Sequence, residues 1–147
     1  MSRVSQMLLA AHGEKTEIYT VSPETSIYEA VRFARKNNVG ALPVVREDTL
    51  VGIISERDFA YRILAEAIDP RKETVANFMS LEPDYVTPFT DLMDCLNLMK
   101  EKGVRHLPVV EKGRLVGIIS LRDVLYVLLK NQDLLAQQIE AYYLTAM

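Results

Sequence analysis

Cysteine and histidine are scarce in this sequence, and neither forms a cluster. The 147 residues include one cysteine, Cys95, and two histidines, His12 and His106, which lie far apart. A single cysteine excludes an internal disulfide and favours a reducing compartment. Cys95 falls on the apolar face of a predicted helix, so we expect an inert core thiol. The two histidines lack the spacing of a metal site, and no metal is predicted.

Long apolar runs and a large excess of one charge are also missing. The longest apolar runs are far too short to span a bilayer, and the first residues lack the apolar core of a signal peptide. The net charge of −3 gives no electrostatic footprint for nucleic acid or an anionic membrane. These absences predict a cytoplasmic protein that binds neither. The hydrophobic fraction of 49% is ample for a folded core.

What the sequence does contain is an internal repeat with an offset of 65 residues. The segment from Leu50 to Ser55 recurs letter for letter from Leu115 to Ser120. The same offset relates Pro43 to Pro108, and the register holds without a gap over about residues 21–64. A shared register of that length indicates a duplication.

Each copy predicts the order strand, helix, strand, strand, helix. Ser26, with Glu29 three residues later, forms a capping box at the start of the first helix, and Asp91 is the corresponding cap in the second copy. A strand containing a proline follows, which places that strand at an edge or places the proline at a strand start. The predicted fold class is therefore α/β (α+β), with two β-α-β-β-α repeats about a pseudo-twofold axis and a C-terminal helix.

The duplication divides the chain into five predicted segments. They are an N-terminal helical or linker segment (1–18), the first repeat (19–65), a linker (66–83), the second repeat (84–130) and a C-terminal helix (131–147). Short helical patches are expected at residues 4–8 and 75–79. The C-terminal helix is apolar enough that it should pack on the body of the protein or on a second subunit. Tyr61 and Tyr126 recur on the second helix of each copy and are expected to pack there.

Two sequence marks occur once in each copy. One is an apolar stretch that ends in proline, Val39–Pro43 and Val104–Pro108. The other is a glycine followed by an apolar residue, a serine and an aspartate three residues later, in Gly52–Asp58 and Gly117–Asp123. With these marks the chain resembles a pair of cystathionine β-synthase (CBS) domains, the arrangement called a Bateman module, and in particular its stand-alone bacterial and archaeal members. The resemblance covers nearly the whole chain.

The resemblance implies a regulatory module and not an enzyme. Proteins of this kind bind AMP, ADP, ATP, NAD(H) or S-adenosylmethionine in clefts between the two repeats, and AMP is the regulatory ligand we expect first. A homodimer and a regulated partner protein are also implied. The sequence contains no phosphate-loop lysine motif, metal cluster or catalytic triad, so we predict no catalytic residue and no catalytic cofactor. The alternative function is a scaffold that dimerises through its helices without a ligand.

The resemblance also assigns roles to the motif residues. Ser55 and Ser120 are natural N-caps, which by themselves need no ligand, although the amides at a helix start also attract phosphate. In the family, Asp58 and Asp123 accept hydrogen bonds from the ribose hydroxyls.

In the family, the apolar stretch of one repeat faces the serine–aspartate motif of the other. One cleft would place Arg57, Arg105 and His106 around a phosphate. In the other cleft, the small residues Gly40 and Ala41 would leave room for a flat base. We expect both clefts to bind, the first better suited to phosphate. The predicted ligand-binding residues are Thr20, Val21, Val39, Gly40, Ala41, Pro43, Ser55, Arg57, Asp58, Val86, Thr87, Val104, Arg105, His106, Leu107, Pro108, Ile118, Ser120, Arg122 and Asp123.

Overall fold

The structure, a computed structural model, describes residues 3–12, 17–131 and 133–146. These residues divide into two compact units. The repeat-1 unit contains residues 18–84 and 112–115. The repeat-2 unit contains residues 85–111, the described residues from 116 onward and those before 18.

In each repeat a helix, two strands and a second helix follow one another in the predicted order. In chain order the elements are α1 (Val4–His12), α2 (Ile27–Asn37), β1 (Ala41–Arg46), β2 (Thr49–Ser55), a π-helix (Asp58–Leu64), a 3₁₀ turn (Val75–Asn77), β3 (Ser80–Leu81), α3 (Leu92–Lys102), β4 (His106–Glu111), β5 (Arg114–Ser120), α4 (Leu121–Asn131) and α5 (Asp133–Ala146). The mixed α/β fold class is confirmed.

The sheet of the repeat-1 unit is built on a tight hairpin. Strands β1 and β2 pair antiparallel, and β3 pairs with the other side of β2. Glu47 and Asp48 connect β1 to β2 with φ angles of 51° and 67°, as a two-residue turn of type I′ requires. Pro43 lies in β1, at the edge of the sheet, where its missing N–H breaks no ladder bond.

Helix α2 covers this sheet with its apolar face. The Ser26 hydroxyl accepts a hydrogen bond from the Glu29 amide at 3.1 Å, which confirms the predicted cap. The helix ends at Asn37, and its C-cap Asn38 has a φ of 54° in the left-handed region. The buried residues that form this core are Val21, Ile27, Ala30, Ala34, Leu42, Val44, Ile54, Ile63 and Val75.

The second repeat follows this plan with a two-stranded sheet. Strands β4 and β5 pair, and Lys112 and Gly113 form the turn with φ angles of 52° and 79°. Asp91 occupies the N-cap of α3, as predicted, but its side chain makes no capping hydrogen bond. The core includes Val4, Met7, Leu92, Cys95, Met99, Leu107, Ile119, Val124, Leu128, Ile139 and Tyr142.

The first strand of each repeat is reduced to a single bridge. Val21 pairs in parallel with Val44, and Val86 pairs in parallel with Val109. The Val21 amide donates to the Pro43 carbonyl at 3.1 Å and the Val45 amide donates to the Val21 carbonyl at 2.9 Å, and the ladder ends after these two bonds. A proline follows two residues after each valine, and its missing N–H prevents the ladder from continuing.

The segment that precedes repeat 1 in the sequence packs in the repeat-2 unit. At the start of α1, the Val4 amide donates to the Thr90 carbonyl at 3.0 Å and the Ser5 amide to the Pro88 carbonyl at 2.9 Å. Further along α1, Leu8 lies over β5, close to Gly117.

The segment that precedes repeat 2 has the equivalent position in the repeat-1 unit. The Val75 amide donates to the Thr25 carbonyl at 2.8 Å, and the Ala76 amide donates to the Pro23 carbonyl at 3.0 Å. Met79 then lies over β2, as Leu8 lies over β5. The two patches that the sequence predicts are therefore structurally equivalent.

The C-terminal helix packs on the body of the repeat-2 unit, as predicted. Ile139 and Tyr142 on α5 are 3% and 8% exposed and belong to the core. Burial raises the pKa of the Tyr142 hydroxyl above its usual value. Within the described ranges, no helix combines the length and the apolar character that crossing a membrane requires.

Candidate functional site

The motif of repeat 1 lies where β2 ends and the π-helix begins. The Glu56 amide donates a hydrogen bond to the Gly40 carbonyl at 3.0 Å, which ties the helix start to the apolar stretch of the same repeat. Oδ2 of Asp58 accepts two hydrogen bonds from Ser55, from the amide at 2.8 Å and from the hydroxyl at 3.1 Å. A carboxylate has about four lone-pair sites, so these two bonds use about half of its capacity.

The motif of repeat 2 has the same backbone plan and a different side-chain arrangement. The Leu121 amide donates to the Arg105 carbonyl at 2.7 Å, the equivalent of the bond from Glu56. The Ser120 hydroxyl accepts a hydrogen bond from the Asp123 amide at 3.1 Å, which confirms Ser120 as a helix cap. Asp123 is exposed.

The two repeats therefore show complementary halves of a capping box. In a complete box the cap hydroxyl accepts from the amide three residues later, and the acidic side chain at that position reaches back to the cap amide. Repeat 1 has the carboxylate half, through Asp58, and repeat 2 has the hydroxyl half, through Ser120. Asp58 is half-buried and engaged by its own repeat, whereas Asp123 is open to solvent.

The helix that follows the motif differs between the repeats. In repeat 1 it is a π-helix, closed at its end by a bond from the Ala65 amide to the Ala60 carbonyl at 3.1 Å. Arg62 on this helix donates to the Phe78 carbonyl, and its Cζ lies 5.9 Å from the Phe78 ring centroid. The offset of 65 places Val127, which has no side-chain donor, at the position of Arg62 in α4. Helices of the π type are rare in proteins, and those that occur are often found at functional sites.

Each apolar stretch is more accessible at its first residues than at its proline. In repeat 1, Val39 and Gly40 are half-buried, whereas Ala41 and Pro43 are buried. In repeat 2, Val104 and Arg105 are exposed, His106 is half-buried, and Leu107 and Pro108 are buried. Each stretch contacts the motif of its own repeat through the backbone bonds described above. The pairing of each stretch with the motif of the other repeat stays a prediction.

The residues at the opening bridges differ in accessibility. Val21 and Val86 are buried, Thr20 is half-buried and Thr87 is exposed. The Thr87 hydroxyl oxygen accepts a hydrogen bond from the Phe89 amide at 3.2 Å, so the threonine also shapes a local turn.

The remaining predicted residues lie at or near the surface. Ile118 is half-buried in β5, and the cations Arg57, Arg105 and Arg122 are all exposed. Exposed guanidinium groups can reach a phosphate without a change in the backbone. No set of three His, Cys, Asp or Glu side chains in the described segments is arranged to hold a metal ion.

The prediction that Tyr61 and Tyr126 pack on their own repeats is wrong. Their side chains are 68% and 59% exposed. Each tyrosine is two residues from a buried neighbour, Ile63 or Val124, and this spacing places it away from the buried face of a helix. The exposed side is also apolar three residues further on, where Leu64 is 78% exposed.

Comparisons with known proteins agree with this architecture. The family model for the CBS domain matches residues 14–65 and 75–130. The CBS domain-containing protein YhcV of Bacillus subtilis is 37% identical over 118 residues, which cover 80% of this chain and 84% of that protein. The solved structure of a protein with CBS domains from Burkholderia ambifaria has a TM-score of 0.84 at 32% identity, and covers 90% of this chain and 97% of its own.

A second solved structure contains a ligand. CBSX2 was solved in complex with AMP; its TM-score is 0.72 at 28% identity, and the match covers 88% of this chain and 98% of that one. The two repeats and their strand-to-helix motifs thus define a tandem CBS-domain protein. This chain belongs to the CBS-domain family, which confirms the resemblance that its motifs indicate.

Proposed function

We propose that this chain is a regulatory module that binds an adenosine-containing ligand, with AMP as the first candidate, and passes its occupancy to a partner protein. The observation that carries the proposal is the strand-to-helix junction of each repeat, where a serine and an aspartate three residues later stand beside exposed arginines. The complex of CBSX2 with AMP supports the choice of ligand.

The chemistry of the junction suits the parts of such a ligand. Neighbouring ribose hydroxyls can donate hydrogen bonds. The ionised carboxylates of Asp58 and Asp123 have no donor and can only accept them. Guanidinium groups bind phosphate oxygens two at a time, and Arg57, Arg105 and Arg122 are exposed at or beside the junctions. A ligand that prefers one arrangement of the module over another shifts their populations, and the partner protein reads that shift.

The first experiment is thermal unfolding of the full chain with AMP, ADP, ATP, NADH, S-adenosylmethionine and inorganic phosphate, each tested separately. A ligand at about 100 times its Kd adds roughly 2.7 kcal/mol per site. For a chain of this length that corresponds to a rise in Tm of about 5–10 °C. We expect the rise with one or more adenosyl ligands and not with phosphate alone.

Substitutions assign the effect to the motifs. Asp58→Ala and Asp123→Ala should each remove part of the rise, and the double variant should remove all of it. Asp94→Ala is the matched control, because Asp94 lies in the first turn of α3 and outside both motifs. If mass spectrometry shows that the protein contains no co-purified nucleotide and no adenosyl ligand raises its Tm, the proposal is contradicted.

A second function is favoured by the exposed apolar side chains of the motif helices. Tyr61 and Leu64 recur at the 65-residue offset as Tyr126 and Leu129, and the last two are 59% and 55% exposed. A pair that stays apolar and exposed in both repeats is typical of a contact surface. We propose that the chain forms a homodimer through these helices, with or without a ligand.

Sedimentation velocity tests this proposal. Leu64→Glu and Leu129→Glu should shift the chain from dimer to monomer. Leu81→Glu is the control, since Leu81 is 70% exposed on β3 and away from these helices in the sequence. A wild-type chain that sediments as a monomer at all concentrations would exclude the dimer.

A further inference from the structure

Two guanidinium groups lie against one tyrosine ring in the repeat-1 unit. Cζ of Arg71 is 4.5 Å from the ring centroid of Tyr28, and Cζ of Arg32 is 5.6 Å from it. Arg32 lies one turn after Tyr28 on α2, whereas Arg71 belongs to the segment that follows the π-helix. A hydrogen bond from Arg71 and the charges of both arginines lower the pKa of Tyr28 from its usual value.

The backbone holds the segment of Arg71 against the start of α2. The Tyr28 amide donates to the Pro70 carbonyl at 2.9 Å, and the Ile27 amide donates to the Glu73 carbonyl at 3.0 Å. Arg71 is thus bracketed by two backbone hydrogen bonds. Its guanidinium needs only side-chain rotation to meet a ligand, which limits the entropy lost on binding.

No acid in the described segments neutralises either guanidinium. Among the described residues, no carboxylate oxygen lies within 4.0 Å of the side-chain nitrogens of Arg32 or Arg71. The nearby Asp69 accepts a hydrogen bond from the Arg71 amide at 3.0 Å and faces the Lys72 ammonium at 4.0 Å. Two positive charges therefore meet at one tyrosine ring.

The start of α2 adds to the positive potential without offering its own amides. The N-terminus of a helix has the effect of about half a positive charge. The first amides of α2 are already bonded, those of Ile27 and Tyr28 to carbonyls and that of Glu29 to the Ser26 hydroxyl. A ligand here would be bound by the side chains.

We propose that Arg32, Arg71 and the Tyr28 hydroxyl form a binding site for a phosphate group, carried by inorganic phosphate or by a small phosphate monoester. Each guanidinium can donate hydrogen bonds to two phosphate oxygens, and the Tyr28 hydroxyl can donate one more. The site uses no residue of the Ser55 or Ser120 motifs. It therefore does not depend on the proposed nucleotide-binding function.

Phosphate titration of the full chain, followed by NMR of the arginine side-chain NεH groups at constant ionic strength, tests the site. We expect the Arg32 and Arg71 signals to move together and to saturate. Arg71→Gln should weaken phosphate binding by about tenfold or more, as expected when a charge-assisted hydrogen bond is lost. Arg35→Gln is the matched control on the same helix and should leave binding unchanged.

Further measurements distinguish inorganic phosphate from a phosphate monoester, and this site from the proposed nucleotide-binding site. Glycerol phosphate should reproduce the effect of inorganic phosphate if monoesters are accepted, whereas adenosine should leave Arg32 and Arg71 unmoved. Tyr28→Phe, which keeps the ring, should weaken binding less than Arg71→Gln does. Signals that never saturate, or an Arg35→Gln effect equal to that of Arg71→Gln, would overturn the inference. AMP binding lost in Asp58→Ala, together with no phosphate response at Arg71, would overturn this site and leave the nucleotide function standing.

Discussion

The glycines that open the two motifs should differ in their tolerance of a methyl group. A Cβ on Gly52 would lie 2.5 Å from Sδ of Met79 and 3.0 Å from the carbonyl oxygen of Ser80. For a Cβ on Gly117 the three nearest atoms all belong to the side chain of Leu8, with Cδ1 at 3.1 Å. The first environment includes backbone that is held by strand pairing, since Ser80 pairs with Ile53. The second is the flexible end of a side chain.

The expected free energies follow from these distances. Overpacking in a core costs about 1–3 kcal/mol, and replacing a strand glycine by alanine recovers about 0.5–1 kcal/mol of backbone entropy. Gly52→Ala should therefore destabilise the chain by about 1–2 kcal/mol, which lowers Tm by about 2–8 °C. For Gly117→Ala the two terms nearly cancel, and we expect almost no change in Tm.

Urea unfolding of both variants, with Met79→Ala alone and combined with Gly52→Ala, measures the effect. Removing Cγ and Sδ of Met79 relieves the shortest contacts, so Gly52→Ala should cost less in the Met79→Ala background. The difference between the two costs is the coupling energy, and we expect at least about 0.5 kcal/mol. Equal costs at Gly52 and Gly117, or no coupling with Met79, would contradict the predicted clash at Gly52.

Three further outcomes test other parts of the structure. Ser120→Ala should lower the unfolding free energy by about 0.5–2 kcal/mol through loss of the helix cap; an unchanged urea midpoint would contradict that role. Burial raises the pKa of the Cys95 thiol to about 12, so it should resist alkylation at pH 8 until the chain unfolds. Because the unfolded thiol, with its usual pKa near 9.0, ionises first, Cys95 should reduce stability as pH rises from about 9 toward 12. Cys95→Ala, the residue found at the equivalent position 30, should remove that part of the pH dependence in urea titrations. Ile139→Ala should cost about 2–5 kcal/mol, since Ile139 is 3% exposed in the core; a smaller loss would show that α5 is not part of it.

Local patterns made most of the fold predictable from the sequence. The repeat at offset 65 places the strands and helices of one copy once those of the other are known. Ser26 and Ser120 act as caps because a hydroxyl three residues before an unbonded amide has the same geometry wherever a helix begins. Pro43 could be placed at a sheet edge from its missing N–H alone.

The features that the sequence did not predict depend on competition between neighbours. Apolar spacing in Asp58–Leu64 fits an α-helix as well as a π-helix, and the Arg62 contact with Phe78 comes from a distant segment. Asp58 and Asp123 stand in equivalent motifs, yet only Asp58 accepts from its serine in the described part of the chain. The predicted domain boundaries and the clefts between the repeats stay predictions.

The position of the two short patches has a consequence for how the chain is made. Residues 75–81 belong to the repeat-1 unit, so all of that unit except residues 112–115 is available once residue 84 has been synthesised. The patch at residues 4–8 belongs to the repeat-2 unit and must wait for partners as distant as Gly117. Contacts of such large sequence separation form late and slow the folding of the unit that contains them. During translation the patch at residues 4–8 is therefore synthesised before both repeats and buried only after the second, and a fragment that begins at repeat 2 would expose the surface that this patch covers.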